Sequence, residues 1–128
     1  MEYEVGALND CPLPTANPCN GVVYLVSKTN PVDAEACKSQ AERGRAKNAT
    51  GDKACMRFGL SVYPSFSTCE HHREAFPGLG SHIAAARLDA SHGVQAPTPS
   101  KNSPAHCTWW PGRHVTRHAL FTVVTAEI

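Results

Sequence analysis

The sequence predicts an α+β domain, a single small unit over residues 1–128 with one mixed β-sheet of about five strands and two helices packed on it. Three observations carry this. A chain of 128 residues fits one domain and is too short for two of ordinary size. Short β-branched or aromatic runs, bounded by turn residues, alternate with two capped segments of helical character. The last third holds strand-like runs with no helix between them, which favours a mixed sheet over a doubly wound one.

Residues 1–20 form an extended arm, because the stretch 7–20 carries three prolines and no periodicity. Gly21-Val-Val-Tyr-Leu-Val-Ser27 follows as the strongest strand, and its lack of alternation predicts cover on both faces. Asn30-Pro31 opens the first predicted helix, with an Asx cap, proline at the first position and Asp33 in the first turn. It should run to Arg43 and stop at Gly44, burying Ala34, Cys37 and Ala41. Residues 44–54 read as a basic surface loop.

Met56–Tyr63 is the second predicted strand, closed by Pro64. Ser67-Thr-Cys-Glu70 is a capping box for a helix to Phe76, which Pro77-Gly78 ends. Ser81–Leu88 could be helix or strand: its alanines favour a helix, but a strand between the glycine stop and the Asp89–Gly93 turn fits the lengths better. A long loop over 97–105 follows, set in the irregular stretch 96–105 with its three prolines. Thr108–Trp110 and His118–Thr125 then read as strands joined at Pro111-Gly112.

Charge excludes some classes of function. Twelve Lys and Arg against eleven Asp and Glu leave a net charge of +1, so no global field draws the chain to nucleic acid. Residues 37–58 nevertheless hold six bases against Glu42 and Asp52. The longest apolar run, Val22–Val26, is far short of the roughly 20 residues of a membrane span. The acidic start Met-Glu-Tyr-Glu-Val is unlike a secretory leader, which makes a cytoplasmic setting with reduced thiols the expectation. The chain is cysteine-rich and histidine-rich, with six cysteines and seven histidines. No Cys-x-x-Cys is present, so free, partly buried thiols are expected first, ahead of disulfides or metal ligation.

Chemistry concentrates between Pro97 and His118. A loop this long in a small domain is uncommon unless it binds something or is disordered, and the Trp pair after it should anchor its end. His106 is the candidate acid or base, with His82 as a second proton carrier. Lys101 and Arg113 are placed to hold a phosphate, beside Asn102 and Thr108, with Trp109 and Trp110 as a stacking wall. The pattern implies hydrolase or transferase chemistry on a phosphate-bearing ligand, RNA or a nucleotide. The rival is a non-catalytic module that contacts a protein or nucleic acid through Trp109, Trp110 and the basic 43–53 loop. No cofactor motif is present. A zinc site is the minor metal alternative, drawing on His114 and His118 at i, i+4 together with His106. A Cys107–His106 nucleophile is disfavoured, since neighbours on a strand face opposite ways.

Overall fold

The computed structural model describes residues 1–128 and has an α+β fold. Its strands are β1 (Asn17–Pro18), β2 (Gly21–Ser27), β3 (Leu60–Val62), β4 (His82–Leu88), β5 (Gly93–Pro97), β6 (Cys107–Pro111) and β7 (Thr122–Val124). The two α-helices are α1 (Gly51–Arg57) and α2 (Phe66–Ala75). No helix is long and apolar enough to cross a membrane.

The expected single mixed sheet is instead two antiparallel ones, β1-β5-β6-β3 and β2-β4-β7. One rung joins them: Tyr24 and Tyr63 exchange both backbone hydrogen bonds at 2.9 Å. Beyond that rung β2 and β3 separate, and Leu25 and Val26 face Leu60 and Ser61 with no pairing between them. The last two strands also part company. β6 belongs to the four-stranded sheet and β7 to the other, because a 3-10 turn at Arg117–Leu120 takes up the start of the run expected to be one strand.

The helix expected over 31–43 is absent. Asp33 caps only a short 3-10 turn at Glu35–Cys37, its Oδ1 accepting from the Ala36 N–H, and Lys38 is already extended. Ser39 and Glu42 then cap one another reciprocally and start a separate turn. A stripe of Ala34, Cys37 and Ala41 offers too little apolar area to hold a long helix on a sheet. Val32 and Cys37 enter the core without one.

α1 stands where a loop was expected. Its Ala54 and Cys55 are buried, and Cys55 forms a disulfide with Cys11 of the N-terminal arm. That bond corrects the expectation of wholly reduced thiols; Cys19, Cys37, Cys69 and Cys107 are free. α1 also consumes Met56 and Arg57, so the second strand shrinks to three residues. Gly59 precedes it because nothing larger fits: a Cβ there would lie 2.3 Å from Thr108 Cγ2 and 3.0 Å from the Trp109 carbonyl oxygen. The cap of α2 is Ser65, two residues earlier than the capping box predicted, and its hydroxyl accepts from the Thr68 N–H.

Consecutive residues of β6 point to opposite faces, and both faces are covered. Trp109 packs with Val23, Leu25 and Phe121 in the main core. Trp110 packs with Cys55 and Ala96 beneath the N-terminal arm, and its indole N–H donates to the Cys55 carbonyl at 2.9 Å. Across the two-sheet junction, Tyr24 and Tyr63 form a third cluster with Cys69 of α2 and Ile83 of β4.

Candidate active site

The loop after β5 is tied down at several points. The Thr98 N–H donates to the His106 carbonyl at 2.9 Å, extending the β5–β6 ladder by one closure. Ser100 and Ser103 exchange backbone bonds, and the His106 N–H donates to the Ser103 carbonyl. Thr98 and Ser103 are buried, each 7% exposed. The anchoring therefore directs Thr98, Ser103 and His106 inward and leaves Lys101 and Asn102 exposed at the tip.

His106 is held at both ring nitrogens. Nδ1 lies 3.1 Å from the Thr98 carbonyl oxygen and 2.8 Å from Thr98 Oγ1. A carbonyl only accepts, which assigns the proton to Nδ1 and leaves Nε2 bare. Nε2 then accepts from the exposed Ser61 hydroxyl at 2.8 Å. Thr98 Oγ1 is braced in turn by buried Thr108 at 2.8 Å. The order hydroxyl, imidazole, orienting carbonyl is the arrangement by which a base is aimed at an oxygen.

A second imidazole stands close by. His72 of α2 has Nδ1 2.9 Å from Ser103 Oγ, and its ring packs on Tyr63 with centroids 4.8 Å apart. The Tyr63 ring meets His106 edge-on at 5.7 Å. Burial lowers the pKa of both imidazoles from the ordinary 6.5. His72 is lowered further by the neighbouring His106 and His71, while the bond to the Thr98 carbonyl partly opposes the shift of His106. Burial likewise pushes the Tyr63 phenol up.

Ser61, Tyr63 and His72 open onto a groove of about 520 Å³ that lies in the gap between β2 and β3. Its remaining walls bring four cations, Lys28, Lys38, Arg43 and Arg45, and two carboxylates, Asp33 and Glu35. Glu35 engages Lys38 at 2.6 Å and Arg43 at 3.7 Å; Lys28 and Arg45 make no ion pair. Two buried hydroxyls belonging to groove-lining residues, Thr29 Oγ1 and Tyr63 Oη, have no hydrogen-bond partner. The Ser103 hydroxyl is near enough to moderate the shift of the Tyr63 phenol, but makes no bond of normal geometry with it. A buried unpaired hydroxyl costs about 1–3 kcal/mol, so each of these two is a local cost to folding beside the groove.

The residues expected from sequence divide. His106 is in the site and Thr108 braces it from beneath. His82 begins β4 opposite Ser27 and makes no contact with either imidazole; the partner of His106 is His72. Arg113 is ion-paired to Glu4 at 3.5 Å, on a different depression beside Glu42 and Arg117. Trp109 and Trp110 are 0% and 1% exposed, so neither indole offers a face to a base or to a partner. The His114 ring donates to the Ser91 carbonyl at 3.0 Å, and His106, His114 and His118 do not gather into a metal-binding group. Cys107 and Cys69 have thiols raised by burial, Cys69 to about 12, which withholds a thiolate at neutral pH.

The sequence does not single out Ser61 or Tyr63 as members of a site, and it offers His72 only as a metal ligand with Cys69 and His82, not as an acid or base. The available signal was slight: Ser61 is the one polar residue between Leu60 and Val62, and so faces away from the core. Compared with known proteins, the chain matches no family model, no curated protein and no solved structure.

Proposed function

We propose that the domain is an enzyme acting on a phosphate-bearing ligand, RNA or a nucleotide, by histidine acid–base chemistry in the groove between β2 and β3. The observation that carries this is the Ser61 hydroxyl at 2.8 Å from His106 Nε2, on the floor of a groove with unpaired Lys28 and Arg45. Ser61 holds the place of a ligand hydroxyl. When a ribose 2′-hydroxyl displaces it, His106 takes that proton as the oxygen bonds to phosphorus. The phosphorus–O5′ bond breaks, and a protonated His72 delivers a proton to the departing oxygen. The products are a 2′,3′-cyclic phosphate and a 5′-hydroxyl. Lys28 and Arg45 balance charge on the phosphoryl oxygens.

The test is turnover of an RNA dinucleotide by the wild type and by His106→Ala and His72→Ala. Each variant should fold, and each should lose about 10²–10⁴ in kcat/KM. Undiminished turnover in either variant removes that residue from the chemistry.

The same hydrogen bond supports a second scheme: His106 takes the Ser61 proton as Ser61 Oγ bonds to phosphorus, the phosphorus–O5′ bond breaks with a proton from His72, and water then hydrolyses the phosphoseryl ester. Ser61→Ala separates the two. It retains turnover if Ser61 is a placeholder and abolishes it if Ser61 is the nucleophile. A cytoplasmic setting is the proposed compartment; the Cys11–Cys55 disulfide favours an oxidising one instead. The chemistry suits either, because no thiol enters it.

A further inference from the structure

We infer that the ligand is a single-stranded polynucleotide and not a mononucleotide, its backbone continuing from the groove into a second, cationic depression made by residues 44–57. This takes the groove as the site of phosphodiester chemistry, as proposed above, and adds the class of substrate. The depression is about 560 Å³, and Arg45, Lys47, Lys53 and Arg57 line it with no carboxylate among its walls. Arg45 lines the groove as well, so the two hollows adjoin at its side chain.

The distribution of charge partners sharpens the point. Of the twelve Lys and Arg, five are paired to carboxylates: Lys38, Arg43, Arg73, Arg113 and Arg117. Among the seven left, four line this depression and Lys28 lines the groove. Five of the seven uncompensated cations thus fall along one path, and only Arg87 and Lys101 lie off it. A mononucleotide in the groove leaves the depression's cations facing water. A chain running past the reacting phosphate lays successive phosphates over them and releases counterions at each contact. No aromatic residue lines the depression, so the contact there is electrostatic and indifferent to base.

The experiment uses the full chain with His106→Ala to stop turnover, and a labelled single-stranded RNA of about twelve nucleotides. Fluorescence anisotropy is followed across salt from about 50 to 200 mM. Lys47→Ala/Lys53→Ala is then added; both side chains are exposed, whereas Arg57 also holds the Arg45 carbonyl and is left intact. Losing two phosphate contacts should lower the slope of log affinity against log salt by about 1.4 and weaken binding roughly twentyfold at about 0.1 M salt. In the catalytically intact chain, the same pair should cut turnover of the longer RNA well beyond any loss on the dinucleotide.

An unchanged slope and affinity overturn the inference, as does equal binding of polyglutamate with the same salt dependence. Dinucleotide turnover that depends on both histidines, with RNA binding insensitive to Lys47 and Lys53, sinks the inference and leaves the proposed chemistry standing. Salt-dependent RNA binding that those lysines control, in a chain that turns over neither substrate, upholds the surface and removes the chemistry.

Discussion

Reducing the Cys11–Cys55 disulfide should cost this domain a large share of its stability. The bond joins residues 44 apart in sequence and pins the N-terminal arm against α1. In the chain-entropy treatment, closing a loop of that size removes about 13 cal/mol/K from the unfolded ensemble, or about 4 kcal/mol at 25 °C. Small domains hold only about 5–15 kcal/mol in total. With a urea dependence of about 2 kcal/mol/M, the unfolding midpoint should fall by about 2 M when a reductant is present. The assay is urea unfolding followed by tryptophan fluorescence, since Trp110 lies under the arm and hydrogen-bonds the Cys55 carbonyl. Thiol titration of the unfolded, unreduced chain should return the four free cysteines. Six thiols, or coincident midpoints with and without reductant, would refute the reasoning.

The paired imidazoles predict a pH signature. Burial holds the pKa of His72 and His106 below 6.5, so between that value and their folded values the unfolded chain binds more protons than the folded one. Stability should therefore be full above 6.5, decline as pH falls through the window below it, and level off once both states are protonated. His72→Gln/His106→Gln should flatten this segment of a urea-midpoint profile. Catalysis by one neutral and one protonated imidazole should likewise peak below 6.5, and a kcat/KM optimum in the alkaline range contradicts the assignment. Gly59→Ala should destabilise by about 1–3 kcal/mol, because its methyl pushes on Thr108 and the Trp109 backbone. It should also lower turnover through Thr98 and His106, and wild-type unfolding and kinetics in this variant would count against the close packing.

What the sequence made legible follows from how local each determinant is. β2 was readable because its β-branched residues and flanking turns are local, whereas β4 was readable only from the spacing of the turns around it, since its alanines favour a helix. α1 was not, because its place depends on a disulfide to a residue 44 positions away. The supposed first helix failed for a local reason that composition hides: Ser39 and Glu42 cap one another and interrupt it. His106 was visible because a proline-rich loop delivers it to a pair of large aromatic residues. Its partners were not, since Ser61 and His72 reach it only through the pairing of β3 with β6 and the docking of α2. The indoles drew the eye as a ligand platform, yet area that large is most stably spent inside, and both are buried.

The single rung between Tyr24 and Tyr63 has a mechanical consequence. It acts as the rivet of a pair of scissors whose blades are the diverging ends of β2 and β3. At about 3.3 Å per residue, three residues put the blade tips about 10 Å from the rivet, so a rotation of about 10° moves them by about 1.7 Å. The spacing of the two strands is thereby sensitive to sheet twist as well as to the side chains that line the gap.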